Sequence, residues 1–295
     1  MGLHKFLSRD LDATREWYPE GYLLPQEYTL LKAADDDLGE IEGCCWILKE
    51  AKGNGDVGPQ LLPAINEELL QRPECVVQKY VQDPLVVLRN RKFSIRIYVV
   101  SLHIQPQKVF ISNKGLLVFC EDEYSKDDYE CKTRHITNSR IGKNSLTRTG
   151  RYFRAVLPEH TESDDTASAE VKKVEAILKN EGAAANAVWD RREEDISKTK
   201  HLYKEPTCNL DELRDYMKGN GLDFEALWHR IRGICQTTLE MYQPHLTRRV
   251  GDLNPIAHAR LHLPKILAYE FILDNDFKPY LLEVWNSLLY LWETA

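Results

Sequence analysis

The chain has 295 residues, of which 43% are hydrophobic and 29% charged, and a formal net charge of −7. That length builds one large domain or two lobes, the acidic balance argues against a general nucleic-acid binder, and no apolar run reaches the roughly 18–20 residues a membrane span needs. Seven cysteines without a CxxC pair form neither a zinc pattern nor a disulfide framework, and no signal-peptide core is seen, so a soluble chain in a reduced, cytoplasmic compartment is expected.

The opening residues predict a short helix around Phe6–Trp17, then a connection punctuated by Pro19, Gly21 and Pro25. Cys44–Lys49 is a buried-strand candidate that runs into a glycine loop from Gly53 to Gly58. Val76–Val81 is a further strand. The strongest β signal is Phe93–Ile104, followed by Val109–Ser112 and Leu116–Cys120 with a turn expected at Asn113-Lys114-Gly115. Two helices follow. Thr166–Asn180 carries Val171, Val174, Ile177 and Leu178 on one stripe, and Phe224–Tyr242 carries Leu227, Ile231, Ile234 and Leu239, with Pro244 as its stop. Residues 183–209 lack a period and read as an insert or loop. The last strands are Lys265–Leu273 and Pro279–Val284. The order is an α+β mixture, hairpin-built antiparallel sheets with helices alongside, not an alternating βαβ series.

Charge is unevenly spread. Lys132 to Leu157 holds seven Lys/Arg and no acid, and the stretch after it is rich in acids and alanine. The basic run reads either as a site for an anionic partner or as a solvated loop neutralised by its acidic neighbour.

The final strand pair, Tyr269–Val284, carries the chemistry. A four-residue turn at Asn275–Lys278 would put Glu270 directly opposite Glu283. Facing carboxylates repel, so among apolar neighbours they call for a shared proton or a cation, and hard oxygens suit Mg²⁺. A fully exposed hairpin would need neither, but Ile266-Leu267-Ala268 and Tyr280-Leu281-Leu282 are too apolar for that.

Here a family resemblance enters. The segment is similar to the FDFM…LLEVN element of the tubulin tyrosine ligase-like proteins, which are ATP-grasp ligases. Further elements resemble that family in the same order: Leu7–Pro25; Trp46–Gly55, like WIVKP…GxG; Val76–Val100, like VVQKYI-PLL-RKFDIR-VLV; His135–Asn138, like HLTN; and Leu227–Leu246, like its late helix. The resemblance implies an ATP-grasp-like fold with antiparallel-rich sheets and flanking helices around a nucleotide cleft. Residues 1–75 would be a remnant of the central lobe with the glycine loop. Residues 76–295 would be the C-terminal lobe, with an acidic helical insert at about 159–209. The family's N-terminal lobe has no counterpart here and is expected to be missing.

By the same resemblance, Lys49, Gly53 and Gly55 would hold the phosphates of ATP, glycine letting backbone N–H groups approach closely. Read alone, the loop also fits GxGxxG, weakly, or a plain turn. Gln78, Lys79, Tyr80 and Val81 would read the adenine. Lys92 and Arg96, four apart on a strand and so on one face, would serve catalysis at the phosphates and an incoming carboxylate, or else form salt bridges. Glu270 and Glu283 would take Mg²⁺. The family joins an amino acid to a protein carboxylate through an acyl-phosphate, and its usual partner is the acidic tail of tubulin, which Lys132–Arg154 would suit. No nucleic acid or membrane partner is expected, and a cytoskeletal or ciliary place follows from the partner.

The pattern also breaks. Ser94 replaces the Asp of RKFDIR, Val118 replaces a following Arg, Glu270 replaces an Asp, and Trp285 stands where a third metal ligand belongs, with Asn286 one residue late. Such losses predict a non-catalytic or strongly impaired relative that acts as a tubulin-associated or assembly subunit. An active ligase is the alternative.

Overall fold

The computed structural model describes residues 2–39, 46–50, 58–87, 90–104, 107–137, 209–251 and 265–286. The expected Thr166–Asn180 helix, the acidic insert, Gly53, Gly55 and most of the basic run lie outside them.

Two short helices, α1 (Gly2–Leu7) and α2 (Leu11–Thr14), open the chain where one was expected. The break is local: Asp10 caps α2, its carboxylate accepting from the Ala13 N–H, because an N-cap side chain satisfies an orphan donor. Strand β1 (Gly21–Leu24) occupies what reads in sequence as a connection, and α3 (Tyr28–Leu38) follows. With β2 (Trp46–Glu50), β3 (Gln60–Leu62) and β4 (Cys75–Lys79), β1 makes an antiparallel sheet in the order β1-β4-β2-β3. Trp46, Leu48, Val77 and Leu24 pack beneath α3 around Leu31.

The second sheet contains β5 (Val86–Val87), β6 (Arg91–Ile104), β7 (Gln107–Phe119), β8 (Lys265–Leu273) and β9 (Pro279–Asn286). Long β6 is its spine, pairing β7 and β8, and β9 adds to β8. The sheet break falls between Lys79 and Val86. Alternation along β6 divides its faces. Phe93, Ile95, Ile97 and Val99 go to the core, where helix α6 (Phe224–Gly251) lays Leu227, Ile231, Ile234 and Leu239 against them. Each such buried side chain is worth about 1.5–3 kcal/mol. Lys92, Ser94 and Arg96 take the other face.

Three local expectations are corrected. Asn113-Lys114-Gly115 is no hairpin turn: β7 is one strand, and a register shift between the pairs Ile97↔Gly115 and Val99↔Ile111 absorbs these residues as an irregularity. Gly115 is needed there for closeness, since a Cβ would sit 2.7 Å from the Ile97 Cδ1 and 2.9 Å from the Arg96 carbonyl oxygen. Pro244 does not stop α6, which continues to Gly251. Its position is exposed, so water can serve the carbonyl left without an N–H partner. Finally, helix α5 (Leu210–Gly219), absent from the sequence reading, is announced by a capping box: Asn209 accepts from the N–H groups of Asp211 and Glu212, and Glu212 accepts from the Asn209 N–H. Among the described residues no helix is long and apolar enough to cross a membrane.

Candidate functional site

Between the sheets lies a cleft enclosing about 770 Å³, the open mouth included. Lys49, Gln78, Lys79, Tyr80, Val81, Lys92, Arg96, Glu270 and Glu283, all singled out in the sequence, line it. Four cations face two carboxylates, so the cleft opposes the sign of the whole chain and favours an anion.

Facing carboxylates are found where the sequence puts them, but by a different route. Leu273 pairs with Pro279 and Phe271 with Leu281, then the register shifts and Glu270 pairs with Glu283. The turn is thus one residue longer than expected, Asp274–Lys278, closed by Asp274 N–H to the Lys278 carbonyl at 3.1 Å, and Leu282 is a supernumerary residue, a β-bulge. Two offsets cancel. A bulge puts neighbouring side chains on one side of the sheet, and both Leu282 and Glu283 line the cleft. Beyond Glu283 the backbone register runs straight through Val284, Trp285 and Asn286, with no second bulge.

Buried Glu270 is held on both oxygens: Ser94 Oγ donates to Oε1 at 2.6 Å, and Arg96 Nη2 approaches Oε2 at 3.4 Å. Ser94 therefore donates where the family pattern would supply a further carboxylate. Val118, the cross-strand partner of Ser94, is buried and apolar. Glu283 stays accessible at the mouth, yet the surrounding protein raises its carboxyl above the usual range by desolvation. The Lys49 ammonium opposes that rise and the Glu270 carboxylate adds to it. Lys49 itself is lowered by burial against the pull of Glu283 and Glu270. It crosses the cleft, donating to Gln78 Oε1 at 2.7 Å and to the Leu282 carbonyl at 3.1 Å. The bulge thus supplies an acceptor that a regular ladder would turn into its own pairing.

Gln78 is committed to structure, its amide also donating to the Pro19 carbonyl at 2.8 Å. The Lys79 N–H donates to the Glu20 carbonyl at 2.7 Å and so does not face a base. Tyr80 and Val81 lie beyond the end of β4, at the cleft wall. Behind Lys92 three residues of separate sequence motifs join in a way the motifs do not announce: Lys92 Nζ donates to Tyr80 Oη at 2.9 Å, and Tyr80 Oη is 2.9 Å from His135 Nδ1.

These residues fit a nucleotide, since lysines and an arginine on cleft walls match phosphate charge. The facing carboxylate pair fits a magnesium ion held jointly with phosphates, its usual mode. Among the described residues no third acid, histidine or cysteine joins the pair.

Comparison with known proteins agrees with this architecture. The model of the tubulin-tyrosine ligase family matches residues 4–200. A tubulin polyglutamylase of Xenopus tropicalis is 23% identical over 273 residues, covering 90% of this chain and 24% of the relative. A tubulin monoglutamylase of Mus musculus is 22% identical over 270 residues, covering 91% and 18%. A tubulin glycylase of Tetrahymena thermophila is 24% identical over 185 residues, covering 56% and 13%. The chain therefore spans a quarter or less of the length of these relatives.

Proposed function

The chain belongs to the tubulin-tyrosine ligase family, whose fold is ATP-grasp-like, and from that premise we propose that it is a nucleotide-binding, tubulin-directed member with absent or strongly impaired ligase activity. The observation that carries the impairment is the Ser94–Glu270–Arg96 cluster. A hydroxyl and a guanidinium satisfy the buried Glu270 carboxylate internally, and apolar Val118 lies across from Ser94. Loss of a preorganised charged group commonly costs about 10²–10³ in rate, and several losses meet here.

In this reading Lys49, Gly53, Gly55 and Lys92 bind the phosphates, the backbone at Tyr80 and Val81 borders the base, and Glu270 and Glu283 hold magnesium. The N-terminal sheet is the lobe that brings the glycine loop, and the acidic insert at about 159–209 belongs to the C-terminal lobe. Lys132–Arg154 meets an acidic protein surface, tubulin first, as part of a cytoskeletal or ciliary assembly.

A second reading, an active ATP-dependent ligase adding glutamate, glycine or tyrosine, is favoured by the convergence of Lys49, Lys92, Arg96, Glu270 and Glu283 on one cleft. When bound, Mg-ATP supplies the phosphoryl group that activates a protein carboxylate. Arg96 would then orient that carboxylate, and the cleft walls would exclude water.

Thermal melting with and without Mg-ATP tests the binding, and incorporation of labelled amino acid into tubulin tests turnover. Mg-ATP is expected to raise the melting temperature of the wild type by several degrees, and less in Glu283→Gln. An unchanged melting temperature in the wild type would remove the nucleotide from the reading. Robust incorporation would replace the impaired reading with the active one.

A further inference from the structure

Deep in the cleft wall, three side chains from three segments form one hydrogen-bonded chain. Lys92, on β6, is buried and donates to Tyr80 Oη at 2.9 Å. Tyr80, just past β4, meets His135 Nδ1 at 2.9 Å. His135 closes the short helix α4 (Lys132–His135), and its Nε2 lies 2.8 Å from the Asp128 carbonyl. A carbonyl only accepts, so Nε2 carries the hydrogen. A neutral ring then offers Nδ1 as acceptor, the Tyr80 hydroxyl donates to it, and the phenol lone pair is left facing the Lys92 ammonium. Only a neutral imidazole makes all three bonds at once.

We propose that His135 is a positioning residue for nucleotide binding: through Tyr80 it fixes the Lys92 ammonium at the cleft wall, and protonation of its ring releases that ammonium. The inference rests on the nucleotide reading above. If Nδ1 gains a proton, it must donate to Tyr80 Oη, two cations then converge on one hydroxyl oxygen, and the phenol hydrogen has to find another acceptor.

The surroundings suit a group kept neutral. The rings of Tyr80, Tyr124 and Tyr129 lie 5.9, 5.5 and 6.0 Å from the imidazole. The charged groups that act on His135 are Lys92 from β6, Arg134 from its own helix and Asp128 from the preceding loop. Burial lowers the imidazole below its ordinary value of 6.5; Lys92 and Arg134 add to the lowering and Asp128 opposes it. Arg134 draws Asp128 off, its Nε 3.1 Å from that carboxylate.

The test is the pH profile of Mg-ATP affinity for the wild type, His135→Asn, His135→Leu and Tyr80→Phe. Asparagine keeps an acceptor near the place of Nδ1 and does not titrate. Its profile therefore also reports the titration of ATP itself, against which the wild type is compared. Relative to His135→Asn, the wild type should lose about tenfold in affinity as pH falls through the His135 transition, the size of one hydrogen bond to a charged group. His135→Leu and Tyr80→Phe should be weaker by a similar factor at neutral pH, with that extra dependence gone. ¹⁵N spectra of the wild-type imidazole should show the hydrogen on Nε2 at neutral pH, a readout that needs no variant to fold. Superimposable profiles for wild type and His135→Asn, or the hydrogen on Nδ1, overturn this inference alone. No ATP binding by the wild type at any pH overturns the nucleotide reading and this inference with it.

Discussion

Glu270 shows how a single residue keeps charge in a nearly closed place. The residue is 7% exposed, so an unpaired anion there would be expensive. Ser94 and Arg96 remove that expense. Arg96→Met should therefore destabilise the chain by about 2–3 kcal/mol, the arginine's partial exposure keeping the loss to the low end for a broken pair. Adding Glu270→Gln should recover a good part of it, because the orphaned charge is gone. Urea unfolding of the two single variants and the double variant measures both effects, and equal losses for Arg96→Met and the double variant would contradict the account. The residue types at this site were legible in the sequence, since Lys92, Ser94 and Arg96 alternate on one strand. Their bonding was not, because it depends on Glu270 arriving from 174 residues away in the case of Arg96.

At the scale of elements, periodicity carried the reading where burial is one-sided and failed where a residue's usual meaning is overridden. The stripe of α6 and the alternation of β6 follow from faces that meet a core on one side. Strand β1 and helix α3 escaped notice because one is four residues long and the other buries a single residue, Leu31, with no side-chain cap. Pro244 is the clearest override. Proline inside a helix removes a bond and crowds the carbonyl of residue i−4, yet α6 already gains its stability from Phe224 to Leu239, before the proline. Pro244→Ala should then stabilise the chain, by about 1–3 kcal/mol, since the position is exposed and no packing is sacrificed. Thermal melting decides it, and a lower melting temperature in the variant would show that the proline has a role of its own.

For the whole molecule, the cleft is where two independently packed sheets meet, and neither core reveals their mutual position. Lys49, Lys92, Arg96 and Glu270, singled out in the sequence, line the cleft together because they sit on strands whose faces are fixed by alternation. One bond across the cleft depends on a single residue, Leu282, whose carbonyl receives Lys49 from the other sheet; Lys92 to Tyr80 and the Leu281 N–H to the Trp17 carbonyl are others. Since the register is offset by one only at that point, Leu282 can be regarded as a deletable codon. Removing it would leave Glu270 opposite Glu283 and every pair on either side intact, while erasing one acceptor that ties the sheets. A chain lacking Leu282 should fold with nearly unchanged sheet content by circular dichroism, but backbone amides of β2 and β9 should exchange hydrogen faster. A one-residue deletion inside a strand, ordinarily ruinous, would here remove a single tie between the two sheets and leave their other contacts standing.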